Sequence, residues 1–268
     1  MKKQSLTGHK FSFNLLLGLT CFGLGYLIAT KFLLAMTISP TIINLTRNDE
    51  ERWVSFYNHQ QKEIVKVFVR EQSKIPISQM PTILQKAFVR RKDPDFYSKN
   101  RRLTDLPELF VTEVKAFLKL TTLNYYDRGI SGTLAHNLFL IRKKTLPRRL
   151  DEAVLAYKIE RKYRKEEILE SYLNNIYFGE GTFGVEAASN YYFGKKALKL
   201  QPHEIATLIC LGTDTLSPHI YKKEQLLNDP TSIKKYRDQV LDEMAKENVI
   251  TPKQAAEYKG KPLGLKTY

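Results

Sequence analysis

One segment of the chain, from Tyr172 to Leu198, constrains the fold more than any other. It reads YLNNIYFGEGTFGVEAASNYYFGKKAL, and its glycines at positions 179, 181, 184 and 194 interrupt patterns of helical spacing. Glycines at such points permit the tight turns that end one helix and begin the next. The tyrosines and phenylalanines between them are too dense for an ordinary surface loop. The segment therefore predicts a tightly packed helix-turn-helix core.

Most of the chain beyond residue 75 also has helical periodicity. Apolar residues recur at spacings of three and four in ISQMPTILQKAFVRR, in PELFVTEVKAFLKLTTL and from Arg148 to Leu173. Two further segments, PHEIATLICLG and PTSIKKYRDQVLDEMAKENVI, have proline near the first helical turn. In the second, Ser232 to Lys235 matches the S-x-x-K pattern of transpeptidases, but we expect a helix start with exposed lysines there. No run of alternating strands is visible, so we predict a mainly α fold.

The N-terminal segment predicts a membrane anchor. Phe11 to Thr30 carries no charge and is long enough to cross a bilayer as a helix. Because Lys2, Lys3 and Lys10 precede it, the positive-inside rule places the N-terminus in the cytoplasm. A cleaved signal peptide is the alternative, but no clear cleavage site follows. We expect a single-pass protein of the cytoplasmic (inner) membrane whose domain faces the periplasm or the exterior.

The charge of the chain indicates the class of partner. A formal net charge of +15 favours an anionic partner. The predicted topology argues against nucleic acid and favours anionic lipid headgroups or a lipid-linked phosphate. We divide the chain into a cytoplasmic tail (1–10), a transmembrane anchor (11–36), a juxtamembrane segment (37–74), a globular domain (75–225) and a C-terminal helical extension (226–268).

Two polar clusters have residues that could carry chemistry. In FVRRKDPDFYSKN, three cations precede Asp93 and Asp95, a pattern that fits a metal-binding D-x-D, a catalytic carboxylate site, a phosphate clamp or a solvated helix start. In the second cluster, Arg148 and Arg149 lie four and three residues before Glu152, so all three share one helix face. The guanidiniums could hold a phosphate while the carboxylate orients them, although a surface ion-pair face is commoner.

The segment from Tyr172 to Lys195 resembles the transglycosylase domain of glycosyltransferase family 51. This family is found in class A penicillin-binding proteins and monofunctional peptidoglycan transglycosylases. Its pattern, close to Y-L-N-x-x-Y-F-G-x-G-x-x-G-x-x-x-A-A-x-x-Y-F-G-K, aligns with the chain without a gap. Arg148, Arg149 and Glu152 stand where the family has R-K-x-x-E. The resemblance extends over about residues 75–265.

The resemblance implies an all-α, lysozyme-like domain that polymerises lipid II at the outer face of the membrane. In the family, a glutamate of E-D-x-x-F-x-x-H is the general base, and cations stabilise the leaving pyrophosphate. The second family glutamate corresponds to Glu152, and the expected pyrophosphate contacts are Arg148, Arg149, His136 and Asn137. Many relatives use a divalent cation, Mg²⁺ or Mn²⁺, with the pyrophosphate. No other cofactor is expected, and no residue is assigned as a metal ligand.

The first family motif is altered at its catalytic position. Lys92 stands in place of the general-base glutamate and Lys99 in place of the histidine, whereas Asp93 and Phe96 remain. A lysine with an ordinary pKa of about 10.4 is protonated at neutral pH and cannot accept a proton. Burial among other cations could lower that pKa, and Asp93 is a second candidate for the missing base.

The second family motif, G-G-S-T-I-T-Q-Q-L-A-K-N-L-F-L, is altered only in its polar half. Gly132 and Thr133 replace its two glutamines and His136 replaces its lysine, whereas the apolar positions from Leu134 onwards are kept. Positions that build the fold are therefore retained, and polar positions that face the reaction are changed.

These departures lead to one main hypothesis and two alternatives. The main hypothesis is a protein with lost or severely weakened glycosyltransferase activity, which binds lipid II or nascent glycan and regulates or scaffolds an active cell-wall synthase. The first alternative is an active lipid II polymerase with an altered base. The second is a metal-dependent nucleotide-sugar transferase that uses Asp93 and Asp95. We rank it last because no alternation of strands and helices is visible.

Overall fold

The computed structural model of the chain describes residues 53–57, 63–68, 71–98, 129–138, 146–212 and 223–266. All of them belong to one compact unit that spans residues 45–268. In this part of the chain, helix is the main secondary structure, which confirms the predicted fold class.

Nine α-helices and four short strands lie in the described ranges. The helices are α1 (Thr82–Lys92), α2 (Gly129–Leu138), α3 (Leu146–Lys162), α4 (Lys165–Asn175), α5 (Val185–Phe193), α6 (Pro202–Leu211), α7 (Lys223–Asn228), α8 (Thr231–Lys246) and α9 (Pro252–Lys259). The strands are β1 (Trp53–Tyr57), β2 (Glu63–Phe68), β3 (Glu71–Gln72) and β4 (Thr182–Phe183).

The segment with the densest glycines and aromatics forms the predicted helix-turn-helix core, made of α4, a tight turn with β4, and α5. The side chains of Tyr172, Phe178 and Tyr192 are fully buried, and the Tyr192 hydroxyl donates to the Phe178 carbonyl at 2.7 Å. Gly184 begins α5 with a φ of 85°, and a Cβ there would lie 2.7 Å from the carbonyl oxygen of Asn174. The glycine is therefore required both by the backbone conformation and by the close approach of the preceding helix.

The strands are the part of the fold that the sequence did not indicate. β1 pairs with β2 in an antiparallel hairpin, and β3 pairs with β4 in parallel, so that Glu71 lies opposite Thr182. The hairpin lies in the segment predicted to be juxtamembrane. Its strands are rich in β-branched and aromatic residues, which favour extended backbone, but each run of five or six residues is too short for its periodicity to be decisive.

The C-terminal helices are fixed to the rest of the unit. α8 packs against α6 and α1. From α8, the fully buried guanidinium of Arg237 donates to the carbonyls of Lys259 and Lys261, at 3.0 and 2.7 Å, and contacts the Asp238 carboxylate at 2.6 Å. A buried guanidinium with these partners holds the end of α9 and the residues after it against α8.

Several predictions of organisation stay predictions. The anchor at 11–36 and the helical segment at 107–123 lie outside the described residues. Within the described ranges, every helix is either too short or too polar to cross a membrane. The exposed lysines predicted after Ser232 are confirmed, because Lys234 and Lys235 are exposed in the first turn of α8.

Candidate active site

Lys92, predicted to stand at the position of the family's general base, is the last residue of α1. The helix is held by an apolar face that buries Leu84, Phe88 and Val89. Asp93 leaves the helical conformation, and its N–H donates to the Val89 carbonyl at 2.8 Å. The cationic stretch is therefore a helix end, which corrects the possibility of a helix start. Cations in a last helical turn interact favourably with the helix dipole.

The two arginines before Lys92 pair with acidic residues on α8 and at its C-terminal end. The Arg91 guanidinium donates to both carboxylate oxygens of Glu243, and Arg90 lies 3.7 Å from the Glu247 carboxylate. Both contacts come from one terminal nitrogen of the guanidinium, and hydrogen bonds between ionised groups are stronger than neutral ones. These cations link α1 to α8, which corrects the interpretation of the whole cationic run as a phosphate clamp.

Asp93 contacts the first residues of α2. Its carboxylate is 8% exposed and accepts a hydrogen bond from the backbone N–H of Ile130 at 3.3 Å. Gly129 precedes that residue with a φ of 65°, and a Cβ there would collide with the same carboxylate. Asp93 thus satisfies a backbone donor at a helix N-terminus and fixes the start of α2 beside the end of α1.

His136 and Glu152 form the central polar contact of the site. His136 lies on α2 and Glu152 on α3, and Nδ1 of the imidazole is 2.8 Å from Oε1 of the carboxylate. The Glu152 side chain is 4% exposed and the His136 side chain is 19% exposed. A buried carboxylate costs much free energy unless a partner compensates it, and the imidazole supplies such a partner.

The other predicted site residues fall around this pair. Arg148 and Arg149 lie one turn before Glu152 on α3, but their side chains lie outside the described part of the structure. Asn137 follows His136 on α2 and is partly buried. The roles of these residues in pyrophosphate binding stay predictions.

Phe96, the aromatic residue retained from the first family motif, has a packing role. Its ring is 1% exposed, and the Lys165 ammonium at the start of α4 lies 4.7 Å from the ring centroid. The same ammonium is 3.7 Å from the Glu160 carboxylate on α3. The cation–π contact and the ion pair connect the turn after α1 to the helices that carry Glu152 and the core segment.

Comparison with known proteins identifies the family. The sequence profile of the Transglycosylase family matches residues 58–245. The chain belongs to this family. It is 36% identical to penicillin-binding protein 1A of Aquifex aeolicus over 199 residues, which are 72% of this chain and 25% of that protein. It is 30% identical to penicillin-binding protein 1F of Bacillus subtilis over 206 residues, 76% of this chain and 27% of that protein.

One solved structure is also similar to this chain. The crystal structure of penicillin-binding protein 1A from Haemophilus influenzae matches 82% of this chain and 22% of that chain, with 18% identity and a TM-score of 0.43. The chain spans about a quarter of the length of the curated relatives that it matches. The match of the family profile confirms, at the level of the family, the resemblance inferred from the sequence motifs.

The contact between His136 and Glu152 was not predicted, although each residue was. They are 16 residues apart on successive helices, and whether two such side chains meet depends on how the helices pack. One signal in the sequence could have indicated the contact. His136, a shorter and titratable side chain, stands where the family has a lysine, and Glu152 is retained.

Proposed function

We propose that this chain is a membrane-anchored member of the transglycosylase family that binds lipid II or nascent glycan in cell-wall synthesis and is impaired in glycosyl transfer. The observation that carries the proposal is Lys92, which ends α1 at the position of the family's general base. An ammonium group at this position attracts a diphosphate but, while protonated, cannot remove a proton from the acceptor hydroxyl.

The binding part of the proposal rests on the residues retained from the second glutamate motif. Arg148 and Arg149 are proposed to contact the pyrophosphate, together with His136 and Asn137 on the neighbouring helix, while Glu152 orients these groups. Arginine suits this task because its planar guanidinium binds phosphate oxygens in pairs.

A divalent cation, Mg²⁺ or Mn²⁺, fits this site only as a companion of the ligand. Within the described ranges, no three His, Cys, Asp or Glu side chains are grouped to hold a metal ion. Asp93 and Glu152 accept hydrogen bonds from Ile130 and His136 respectively. When bound, such a cation would neutralise charge on the leaving pyrophosphate, and its ligands would be chiefly the pyrophosphate oxygens.

The cellular setting is proposed from the sequence. The apolar segment at 11–36 would anchor the chain in the cytoplasmic membrane, with the domain on its outer side. A protein that binds substrate there but transfers it poorly would act as a binding or regulatory partner of an active cell-wall synthase.

The test measures binding and polymerisation separately, with labelled lipid II and the purified full-length chain in detergent. We expect binding with little polymer. Lys92→Glu should raise the initial rate of polymerisation by roughly 10²–10⁴-fold, the usual contribution of a general base. Lys86→Glu is the matched control, since Lys86 is an exposed residue of the same helix and its charge change is identical.

The two parts of the proposal can fail independently. Polymerisation by the unmodified chain at the rate of the Lys92→Glu variant would overturn the impairment. Absence of lipid II binding, or binding unaffected by Arg148→Ala with Arg149→Ala, would overturn the substrate assignment.

A further inference from the structure

Two positions of the family motifs carry side chains of different charge and basicity in this chain. Lys92 places a cation where the family has its general-base carboxylate, and His136 places an imidazole where the family has a lysine. Imidazole can accept a proton near neutral pH, whereas an ordinary lysine is already protonated there. A proton acceptor is therefore missing from α1 but present on α2.

The contact with Glu152 fixes which ring nitrogen can accept that proton. The Nδ1 atom lies 2.8 Å from the carboxylate oxygen. Because an ionised carboxylate only accepts hydrogen bonds, Nδ1 carries the hydrogen and donates it to Glu152. In the neutral imidazole, the lone pair that can take up a proton is then on Nε2.

The two side chains of the pair differ in their exposure to solvent. The Glu152 side chain is 4% exposed, whereas the His136 side chain is 19% exposed. The carboxylate is therefore the more buried partner of the pair, and the imidazole is the more accessible one. A buried carboxylate behind a more accessible imidazole is the usual order of groups in a histidine general base, where the carboxylate orients the ring and stabilises its protonated form.

The start of α2 lies beside the residue that follows Lys92, and His136 lies further along the same helix. Asp93, the residue after Lys92, accepts a hydrogen bond from Ile130 in the first turn of α2. His136 is six residues further along the helix, a rise of about 9 Å at 1.5 Å per residue. Lys92 and His136 therefore lie near opposite ends of one short helix, a span that a disaccharide pyrophosphate can cover.

We propose that Nε2 of His136, oriented by Glu152, accepts the proton in the glycosyl transfer that this chain retains. The inference rests on the proposed binding of lipid II. The acceptor sugar hydroxyl gives its proton to Nε2 as its oxygen forms a bond to the anomeric carbon of the donor. The bond from that carbon to the pyrophosphate breaks, the pyrophosphate leaves with the electron pair, and the imidazolium later returns the proton to solvent.

The decisive test removes the imidazole of His136 by substitution and then adds free imidazole to the assay. In slow polymerisation assays with labelled lipid II, His136→Gln and His136→Ala should lower the initial rate by roughly 10²–10⁴-fold. Free imidazole added to His136→Ala should restore part of that rate in proportion to its concentration. Lipid II binding, measured in the same preparations, should fall far less than the rate, because Arg148 and Arg149 remain to contact the pyrophosphate; this separates loss of the base from loss of folding or of substrate.

Glu152→Gln tests the positioning role of the carboxylate. The amide of the glutamine can donate to Nδ1, and this favours the imidazole tautomer that carries its hydrogen on Nε2. An equivalent change in a serine protease lowers kcat by about 10⁴-fold. We expect kcat to fall while lipid II binding persists. His203→Gln is the control, since it removes a buried histidine that lies outside the site and should leave the rate unchanged.

The Lys92→Glu background supplies a second criterion. Once a carboxylate stands at the family position, transfer no longer depends on Nε2, so His136→Gln should then lower the rate by less than about 10-fold. An equal loss in both backgrounds, or no restoration by imidazole, would show that His136 serves only to bind the pyrophosphate and would overturn the inference. So would a chain that binds lipid II but yields no polymer above the enzyme-free control, a result that leaves the proposed binding intact.

Discussion

The core segment (Tyr172–Leu198) and the junction of α1, α2 and α3 lie in one compact unit but use their side chains differently. In the core segment, buried aromatics pack around glycine turns, and the buried Tyr192 hydroxyl bonds to the backbone carbonyl of Phe178. At the junction, the central polar contact joins two titratable side chains across helices, His136 and Glu152.

This difference explains how a fold can persist when polar residues of a site are substituted. The free energy of folding comes mainly from burial of apolar groups, which the core segment supplies, and little of it depends on which charged groups line a site. A glutamate at the end of α1 can therefore become Lys92 without loss of the fold. Substitutions of buried residues in the core segment are expected to lower the free energy of unfolding.

The largest effect on stability is expected in the core segment. Tyr192→Ala removes a fully buried aromatic ring and its bond to the Phe178 carbonyl, so the free energy of unfolding should fall by about 3–5 kcal/mol. Tyr191→Ala is the matched control, because the adjacent ring is only partly buried and its loss should cost about 1 kcal/mol. Urea unfolding followed by circular dichroism measures both, and equal losses would show that the core segment is not packed as described.

A second test addresses the turn before α5. Gly184→Ala places a Cβ 2.7 Å from the Asn174 carbonyl at a φ of 85°, so we expect a loss of about 1–3 kcal/mol from backbone strain, with more if the helices must separate. Gly212→Ala, at a φ of −62° and with its nearest side-chain atom at 3.4 Å, should cost much less. If both variants unfold at the same urea concentration, the close approach of α4 to this turn is wrong.

The core segment was predictable because its constraints are local. Glycines at helix ends and aromatics at helical spacing are visible in the sequence, and Gly184 and Gly194 stand at the two ends of α5, where the sequence indicates them. The pairing of β1 with β2 was less visible, since both strands are short and each is stabilised by its partner rather than by its own sequence.

The junction was predictable only as a set of residue types. The motifs identified Lys92, Asp93, His136 and Glu152, but not which of them meet. The partner of Arg91 is Glu243, 152 residues away, and no local pattern specifies a contact at that separation. Tertiary packing decides these pairs, which is why two of three consecutive cations, Arg90 and Arg91, pair with acidic residues that are distant in the sequence.

A third, smaller effect distinguishes structure from catalysis at the junction. Asp93→Ala removes the acceptor for the Ile130 N–H at the start of α2, so stability should fall by about 0.5–2 kcal/mol. Asp95→Ala, two residues on and exposed, should change the free energy of unfolding by less than about 0.5 kcal/mol. A loss of polymerisation in Asp93→Ala without any loss of stability would instead support Asp93 as the missing base.

The smallest expected effect is a change in the pH dependence of stability, and it depends on the difference between two histidines. His136 at the junction has a carboxylate partner, whereas His203 on α6 is buried beside the core segment and its ring stacks on Tyr258, with ring centroids 5.6 Å apart. Burial lowers the pKa of His203, and the charges of Lys261, Arg237 and Lys195 act in the same direction, while Glu204 opposes them.

The sign of the resulting pH dependence follows from proton uptake. Below the ordinary histidine pKa of about 6.5, the unfolded chain binds a proton that the folded His203 resists, so stability falls as the pH falls towards the lowered pKa. Above about pH 7 both states are neutral at this residue, and the contribution is constant. His203→Gln should therefore reduce the difference in unfolding free energy between about pH 7.5 and about pH 5.5. An unchanged difference would mean that other groups cause the acid sensitivity, and that burial beside α9 does not keep His203 neutral.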